Sequence, residues 1–351
     1  MKKWVIAVCL TILMANTINA QEEERIVRAI TAEDPAAEMA YNEGTTLFNE
    51  KRFNEALLKF NEAIAAKSDF DKAYLNRAAT YKELKNYPQA IRDYDQAIVL
   101  NPAASAYFGR AQVHYEAKNL DAAKADYTKA ISLNSSYAQA YYYRGGILFE
   151  QGNYDDAINN YNLAISNKSD YAFAYNDRAG CYRSQEKFDR AMDDYNKAIS
   201  YASDNATFFS NRGSLKRQMG KYEEAVKDYN EALRIDANNS IILTNSGLAK
   251  FDAGNYQDAI ADFSAAIKQK SDYAYAYNNR GNAKYKLKDY SGAVADYNEA
   301  IRINPKYEYA YLNRGIAKEM LRDADGACAD WQKAYEMGLS SAEAYINNQC
   351  K

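Results

Sequence analysis

The sequence predicts an all-α protein built from a repeated pair of helices. Three observations lead to this prediction: a small residue recurs at nearly fixed spacing, alanines follow it at two constant offsets, and an aromatic residue lies between those alanines. Glycine and proline are scarce, with 15 and 4 in 351 residues, as expected for helices joined by short turns. Nine copies of such a unit indicate a solenoid, in which each unit packs on its neighbours.

The nine units can be aligned on the small residue, which we call the anchor. Successive anchors are 34 residues apart, except for one step of 33. The anchors are Gly44, Ala78, Ala111, Gly145, Ala179, Gly213, Gly247, Gly281 and Gly315. Every position in a repeat can then be described by its offset from the anchor.

Three offsets after the anchor define a second helix. Alanine stands at offsets 12 and 19 in all nine repeats, and offset 16 is always aromatic. These offsets share one face of a helix. An aromatic residue four before the anchor indicates a similar stripe on a first helix in seven repeats. The pattern predicts two antiparallel helices that approach closely where the anchor meets the alanines.

Glycine and proline mark the ends of these helices. Gly152, Gly220 and Gly254 lie seven residues after their anchors, where a left-handed residue commonly ends a helix. Pro102 and Pro305 follow an asparagine at the end of the second helix and prevent its continuation. The connection within a repeat and the connection to the next repeat are therefore both short, as in an αα-hairpin.

A 34-residue period with these residue types at these offsets resembles the tetratricopeptide repeat family. The resemblance covers residues 38–338. It implies an all-α, right-handed α-solenoid of nine helix–turn–helix units, with a C-terminal capping helix over residues 339–351. Members of this family form a superhelix whose concave face is lined by the first helices and typically binds peptides or proteins. The fold alone does not identify the partner.

One departure from the family pattern concerns charge. The residue before the anchor is arginine in seven repeats, and an aspartate stands at offset 15 in seven. In the first repeat the signs are reversed, with Glu43 and Lys59. We therefore predict an ion pair between the two helices of a repeat. Because it recurs along the whole array, we interpret it as a packing device rather than a catalytic one.

The N-terminus has the order of a secretory signal. Lys2 and Lys3 precede an uncharged, mostly apolar run that ends near the small residue Ala20. This order predicts a cleaved signal peptide over residues 1–20, and its apolar run is too short to span a bilayer. We expect an exported protein, periplasmic or secreted, with an acidic, flexible lead-in segment over residues 21–37. No later run is apolar for long enough to cross a membrane.

The mature chain is mildly acidic and lacks the residues of most catalytic or metal sites. Without the signal it has 42 Lys and Arg against 47 Asp and Glu, so composition gives no case for nucleic acid binding. His114 is the only histidine and stands at an offset where Tyr81 and Tyr182 occur in other repeats. No glycine-rich phosphate loop is present. We predict no enzyme activity, no cofactor and no metal.

The candidate partner-binding residues lie one position round from the core stripe of the first helices. They are Tyr41, Phe48, Leu75, Phe108, Tyr115, Tyr142, Phe149, Arg183, Arg217, Phe251 and Tyr285. Aromatic residues in a line indicate recognition if they are exposed and packing between repeats if they are buried. If the stripe binds a partner, contact is expected to centre on Phe48, Phe108, Tyr115, Tyr142 and Phe149.

The leading interpretation is an exported adaptor that holds a protein or peptide in its concave face, within an envelope complex. A glycan or small-ligand binder and a structural envelope element that assembles through its ends are the alternatives. Aromatic residues spread over many repeats favour an extended ligand, and a cluster in one repeat favours a sugar. Family members that bind chaperone C-terminal carboxylates use lysine and asparagine on this face. Tyr41 and Thr45 occupy those positions in the first repeat, so that activity is not expected.

Three cysteines follow the signal: Cys181, Cys328 and Cys350. An odd number in an exported protein leaves a free thiol or an intermolecular bridge. A disulfide between Cys328 and Cys350 would pin the capping helix onto the last repeat. The sequence leaves open whether the two sulfurs meet.

Overall fold

The computed structural model describes residues 34–350. These residues form nineteen α-helices, one short 3-10 helix and no strand, as the repeat pattern predicts. The predicted signal peptide and residues 21–33 of the predicted lead-in segment lie outside the described residues. Helix α1 begins at Pro35, within the segment expected to be a lead-in, because the Asp34 carboxylate accepts a hydrogen bond from the amide of Ala37 at 3.3 Å and caps the helix.

First and second helices alternate along the nine repeats. The first helices are α1 (Pro35–Asn49), α3 (Asp71–Glu83), α5 (Ala104–Glu116), α7 (Ala138–Glu150), α9 (Ala172–Ser184), α11 (Ala206–Gln218), α13 (Ser240–Asp252), α15 (Ala274–Lys286) and α17 (Glu308–Met320). The second helices are α2 (Phe53–Ala66), α4 (Tyr87–Leu100), α6 (Leu120–Leu133), α8 (Tyr154–Asn167), α10 (Phe188–Tyr201), α12 (Tyr222–Ile235), α14 (Tyr256–Gln269), α16 (Tyr290–Ile303) and α18 (Ala324–Glu336). A 3-10 helix (Ser340–Ala342) and α19 (Glu343–Gln349) follow.

The described residues divide after Ile147 into two compact units, residues 34–147 and 148–350. Within each unit, consecutive helices pack side by side, in the helix-pair arrangement of a solenoid. The aromatic residue at offset 16 is buried in all nine repeats. A Cβ atom added at the anchor Gly281 would lie 2.6 Å from Cε1 of Tyr297, so the anchor is small because the aromatic ring of its own repeat lies against it.

The predicted ion pairs are present. In six repeats the arginine before the anchor contacts the aspartate at offset 15, at 2.5–2.7 Å. In the first repeat the reversed pair is formed by Lys59 and Glu43 at 3.2 Å. In the seventh repeat, which has a serine before the anchor, Lys250 takes the place of the arginine and contacts Asp262 at 2.6 Å. The fourth repeat has Asn160 at offset 15, and the pairs hold the two helices of the other eight repeats in register.

The predicted helix ends are also present. Gly152, Gly220 and Gly254 have φ values of 77, 75 and 82°. In six other repeats a residue with a side chain adopts this left-handed conformation at the same offset. These residues are Lys51, Lys85, Lys118, Glu186, Lys288 and Arg322. The hairpin connection therefore imposes its geometry even where glycine is missing.

The segment after α18 forms a small cap. Cys328 on α18 and Cys350 after α19 are joined by a disulfide, with Cα atoms 5.7 Å apart. The ring of Tyr345 stacks on Trp331 with centroids 5.2 Å apart. The predicted capping helix is thus a 3-10 turn followed by two helical turns, attached covalently to the last repeat. Among the described residues, none of the helices has an apolar stretch long enough to cross a bilayer.

Candidate functional site

The side chains at offsets −6, −3, +1 and +4 share one side of each first helix, which we call the first-helix face. In the first unit, Phe108 does not belong to an exposed part of this face. It is only 3% exposed, and its ring lies 4.8 Å from that of Tyr137 and 5.8 Å from that of Tyr143. The expectation that Phe108 contacts a partner is therefore wrong, because two tyrosines of the following repeat cover it.

The other candidate residues of the first unit are partly buried between repeats. Tyr41 lies 5.0 Å from the ring of Phe70 and accepts a hydrogen bond from Asn76. Leu75 and Tyr115 pack at the margins of core clusters, and Tyr142 is in edge contact with Tyr143 at 5.2 Å between ring centroids. In this unit, the stripe is mainly the margin of the core.

Aromatic residues at offset +4 share a recurring contact near the hairpin turn. Each packs on the aromatic residue that begins the second helix of its own repeat, with ring centroids 5.3–5.6 Å apart. The pairs are Phe48–Phe53, Phe149–Tyr154, Phe251–Tyr256 and Tyr285–Tyr290. Phe149 is 36% exposed, whereas Phe48, Phe251 and Tyr285 are partly buried and also pack on core clusters.

A pocket of about 200 Å³ lies on the first-helix face of the second unit, between the seventh, eighth and ninth repeats. It is lined by the predicted Phe251 and Tyr285, together with Asn282, Lys286, Tyr297, Asn313 and Ile316. The hydroxyl of Tyr297 donates to Oδ1 of Asn282 at 2.8 Å. Burial raises the pKa of Tyr285 and of Tyr297, so both phenols remain neutral in physiological conditions. The pocket is therefore mostly uncharged, with Lys286 at its side.

The two predicted arginines of this face differ in their surroundings. Arg217 forms an ion pair with Asp252 of the next repeat, at 2.6 Å between Nε and Oδ2. Arg183 is partly exposed, and the described residues provide no carboxylate within ion-pair distance of it. Arg183 is therefore the cation of this pair that remains available to a ligand.

Three exposed residues on this face were not identified from the sequence. Ile241, Tyr275 and Tyr309 are 60, 43 and 50% exposed. All three stand at offset −6, on α13, α15 and α17, two helical turns before the residues that line the pocket. We call them the exposed row. The signal that could have identified them is local, because offset −6 is apolar in these consecutive repeats but is charged or polar in the first four.

Amide side chains link the first helices beside the exposed row and further along the second unit. Asn313 donates from Nδ2 to Oδ1 of Asn278 in the preceding repeat at 3.0 Å, and Asn211 does the same to Asn176. An asparagine amide has two donor hydrogens and a carbonyl oxygen. Asn176 and Asn278 are buried, so the hydrogen-bonding capacity that remains on the face belongs to the partly exposed Asn211 and Asn313.

Two titratable side chains away from this face, His114 and Cys181, are in their neutral forms. Burial lowers the pKa of His114, although its Nε2 lies 3.8 Å from Asp126, and the imidazole is neutral at pH 7. Burial raises the pKa of Cys181 to about 12, so its thiol is protonated and unreactive. The described residues contain no His, Cys, Asp and Glu cluster suited to a metal ion.

Comparison with known families agrees with the helix pairs. Family models of the tetratricopeptide repeat match residues 71–103, 119–172, 174–205 and 244–308. A further model of the same repeat matches residues 213–254. The chain belongs to the tetratricopeptide repeat family. Proteins of this family are typically non-catalytic scaffolds for interactions between proteins, and the tetratricopeptide repeats identify this chain as an interaction module.

Two curated relatives match parts of the tetratricopeptide array. The Hsp70-Hsp90 organizing protein 1 of Glycine max is 36% identical over 69 residues, which are 20% of this chain and 12% of that protein. The small glutamine-rich tetratricopeptide repeat-containing protein of Dictyostelium discoideum is 41% identical over 66 residues, which are 19% of this chain and 20% of that protein. The chain thus spans a fifth or less of the length of these relatives.

Two solved structures share the tetratricopeptide fold. A tetratricopeptide repeat protein of Parabacteroides merdae has a TM-score of 0.56 and 18% identity, over 71% of this chain and 99% of that chain. The Cut9–Hcn1 hetero-tetramer of the APC/C contains a chain with a TM-score of 0.57 and 12% identity, over 90% of this chain and 76% of that chain. At these identities the likeness concerns the fold alone.

Proposed function

We propose that this protein is an exported adaptor that binds an extended peptide segment of a protein partner along the first-helix face of its second unit. The observation that carries the proposal is the exposed row, in which Ile241, Tyr275 and Tyr309 hold the same position on three consecutive first helices. Exposed apolar side chains in a contiguous patch favour a binding surface. Large aromatic residues are also frequent among the residues that dominate binding energy.

The spacing of the row favours an extended ligand. Neighbouring packed helices are roughly 8–10 Å apart, and an extended chain advances about 3.3 Å per residue. A peptide that crosses the three helices therefore brings about every third side chain to the exposed row. A sugar ligand would favour aromatic residues gathered in one repeat, whereas these residues belong to three.

The polar residues around the row favour a ligand that presents peptide groups of its main chain. Asn313 follows the row on α17 and is partly exposed, so its amide can donate to and accept from peptide groups. The pocket lined by Phe251, Tyr285 and Ile316 lies further along the same helices and has room for one apolar side chain of the ligand. The contact is therefore expected to be mainly apolar and amide-based, with Lys286 and Arg183 contributing to orientation.

The chaperones named in the matched relatives are not the partners we propose. Those matches cover only small parts of both chains. In addition, Asn76 donates to the hydroxyl oxygens of Tyr41 and Thr45, at 3.1 and 3.2 Å. These first-repeat positions are thus engaged in packing between repeats, and neither residue is a lysine that could hold a carboxylate.

Export is supported by the disulfide as well as by the signal-like N-terminus. Disulfides persist in oxidising compartments and are rare in the cytosol. The Cys328–Cys350 bridge therefore fits a periplasmic or secreted protein. Fractionation of the producing cells tests this part of the proposal, since recovery of the full-length chain in the cytosol, with both thiols reduced, would contradict it.

Selection from a random peptide library tests the binding function. We expect peptides recovered on the wild-type chain to have aromatic or branched apolar residues at intervals of about three. The same peptides should be lost on a Tyr275→Ala, Tyr309→Ala variant and retained on a Tyr201→Ala variant. Tyr201 is a suitable control because it is 50% exposed but lies on the second helix α10.

Two outcomes contradict the proposal. Peptides that bind the double variant as tightly as the wild type would remove the exposed row from the site. A library that yields no peptide, combined with binding of wild type to a glycan array, would favour the sugar ligand instead. Circular dichroism of each variant establishes that the helices are retained.

A further inference from the structure

The second helix of the last repeat carries a cysteine where other repeats have an apolar contact with the following repeat. At offset 13, Met192 packs in one cluster with Leu215, and Ile260 packs in another with Ala283, in each case with a residue of the next repeat. Cys328 occupies this offset in the ninth repeat. Its disulfide to Cys350 therefore places the cap where the first helix of a further repeat would pack.

The cap is a small substitute for a repeat. Helix α19 has seven residues and none of them is buried. The 3-10 helix and α19 both pack on α18, with Ala342 buried, Tyr345 stacked on Trp331 and the disulfide between the two segments. Tyr335 on α18, at an offset where other repeats have isoleucine or leucine, remains exposed beside it. The disulfide adds a covalent attachment to these contacts.

Within residues 34–350, no preceding repeat packs on helix α1. Met39 is 70% exposed, although it stands at offset −5, where every other repeat has a buried residue. Those residues are Ala73, Ala106, Ala140, Ala174, Phe208, Ile242, Ala276 and Ala310. Helix α1 thus presents the surface that the first helix of each later repeat uses to pack on its predecessor.

We propose that the end of α18 beneath the cap is a docking surface for helix α1 of a second copy of this chain, and that the Cys328–Cys350 disulfide keeps it covered. The contact continues an interface that the chain already forms between consecutive repeats. It goes beyond the proposed peptide binding and does not depend on any ligand.

The polar groups at the two surfaces are complementary. Inside the array, the arginine before an anchor donates to the residue at offset 17 of the preceding repeat, as Arg314 does to Asn298 at 2.7 Å. In α1 that arginine is replaced by Glu43, and the ninth repeat has Gln332 at offset 17. Gln332 donates one amide hydrogen to Glu336 at 3.4 Å. In the docked pair, its second amide hydrogen donates to the Glu43 carboxylate.

Opening the cap is a thiol–disulfide exchange. Two thiols of a low-molecular-weight reductant, or one dithiol, supply two electrons and two protons. The bond between the Sγ atoms of Cys328 and Cys350 breaks, both cysteines become thiols, and the reductant leaves as its own disulfide. Both cysteines are partly exposed, so a small thiol can reach the bond.

Light scattering on the purified chain, oxidised and then treated with dithiothreitol, tests the proposal. For the chain without residues 1–20, thiol counting after denaturation should give one free thiol before treatment and three after it. The oxidised chain should have the mass of one copy. The reduced chain, with unchanged helical circular dichroism, should show a mass that increases with concentration, and amides of residues 338–349 should exchange hydrogen faster.

Matched substitutions identify the surface. In the reduced chain, Met39→Glu places a charge in the proposed contact and should weaken self-association by at least about tenfold. Leu58→Glu is the control, because Leu58 belongs to the same repeat and is 61% exposed on α2. A reduced chain that stays a single copy, a cap that remains protected after reduction, or association that Met39→Glu leaves unchanged would each overturn the proposal.

Discussion

At the scale of single residues, Arg178 joins three parts of the fold. Its Nε and Nη2 atoms donate to both carboxylate oxygens of Asp194 at 2.7 Å, and Nη1 donates to Asn162 in the preceding repeat. The guanidinium also lies over the ring of Tyr175, 5.3 Å from its centroid. The two side chains of the ion pair are 14 and 5% exposed. One arginine thus fixes packing within a repeat and between repeats.

Removing this arginine should destabilise the second unit. Arg178→Ala leaves the Asp194 carboxylate without its main partner, and we expect a loss of roughly 1–3 kcal/mol in the free energy of unfolding. The double variant with Asp194→Ala should recover part of this loss in a urea-unfolding cycle. Arg234→Ala is the control, since its pair with Glu231 is exposed and should contribute less than about 1 kcal/mol. An absence of coupling between Arg178 and Asp194 would refute the ion pair.

The sequence contains enough information to predict the ion pair between Arg178 and Asp194, but not the hydrogen bond from Arg178 to Asn162. The reversed signs of Glu43 and Lys59 reveal that offsets −1 and +15 meet, because both positions change charge together. The bond from Arg178 to Asn162 depends on how one repeat stacks on the next. No charge reversal accompanies it, so the alignment of repeats could not identify it.

At the scale of helices, the hairpin turn imposes a left-handed residue seven positions after each anchor. Glu186 adopts φ = 59° there, a conformation that is unfavourable for residues with a Cβ atom by roughly 1–2 kcal/mol. Three repeats of the second unit have glycine at the same position. The helices therefore tolerate the strain at Glu186 because packing on both sides determines the turn.

Glu186→Gly should stabilise the second unit. Relief of the left-handed conformation is partly offset by the greater freedom of glycine in the unfolded chain, so we expect a net gain of about 0.5–1 kcal/mol in urea unfolding. Glu186→Ala separates the backbone effect from loss of the carboxylate and should leave stability nearly unchanged. A glycine variant less stable than the alanine variant would show that the turn is not strained.

Phe108 shows why the pattern of a single helix did not predict whether a residue is exposed. Its offset predicts a position at the edge of the core, and whether it is exposed depends on what the next repeat places over it. Tyr143 stands where several repeats have asparagine, and its ring lies 5.8 Å from both Phe108 and Tyr127. This extra ring closes the surface. Helical periodicity describes one helix and contains no information on the bulk contributed by its neighbour.

At the scale of the whole chain, the repeats provide the fold and the local exceptions provide the candidate site. Offsets that are constant along the array form the core, so the sequence predicts the fold well. The exposed row is the reverse case, because offset −6 is apolar and exposed in three consecutive repeats but varies elsewhere. A search for conserved offsets overlooks such a position. Binding surfaces in repeat proteins are thus better sought where repeats differ.

The affinity of a library-selected peptide for Tyr275 and Tyr309 variants tests the central claim most directly. Isothermal titration should show that Tyr275→Ala and Tyr309→Ala each cost about 2 kcal/mol, or roughly a 30-fold loss of affinity, with unchanged melting temperature. Tyr201→Ala should bind like the wild type. Equal affinities for wild type and the Tyr275→Ala, Tyr309→Ala double variant would contradict the claim that the first-helix face of the second unit binds the partner.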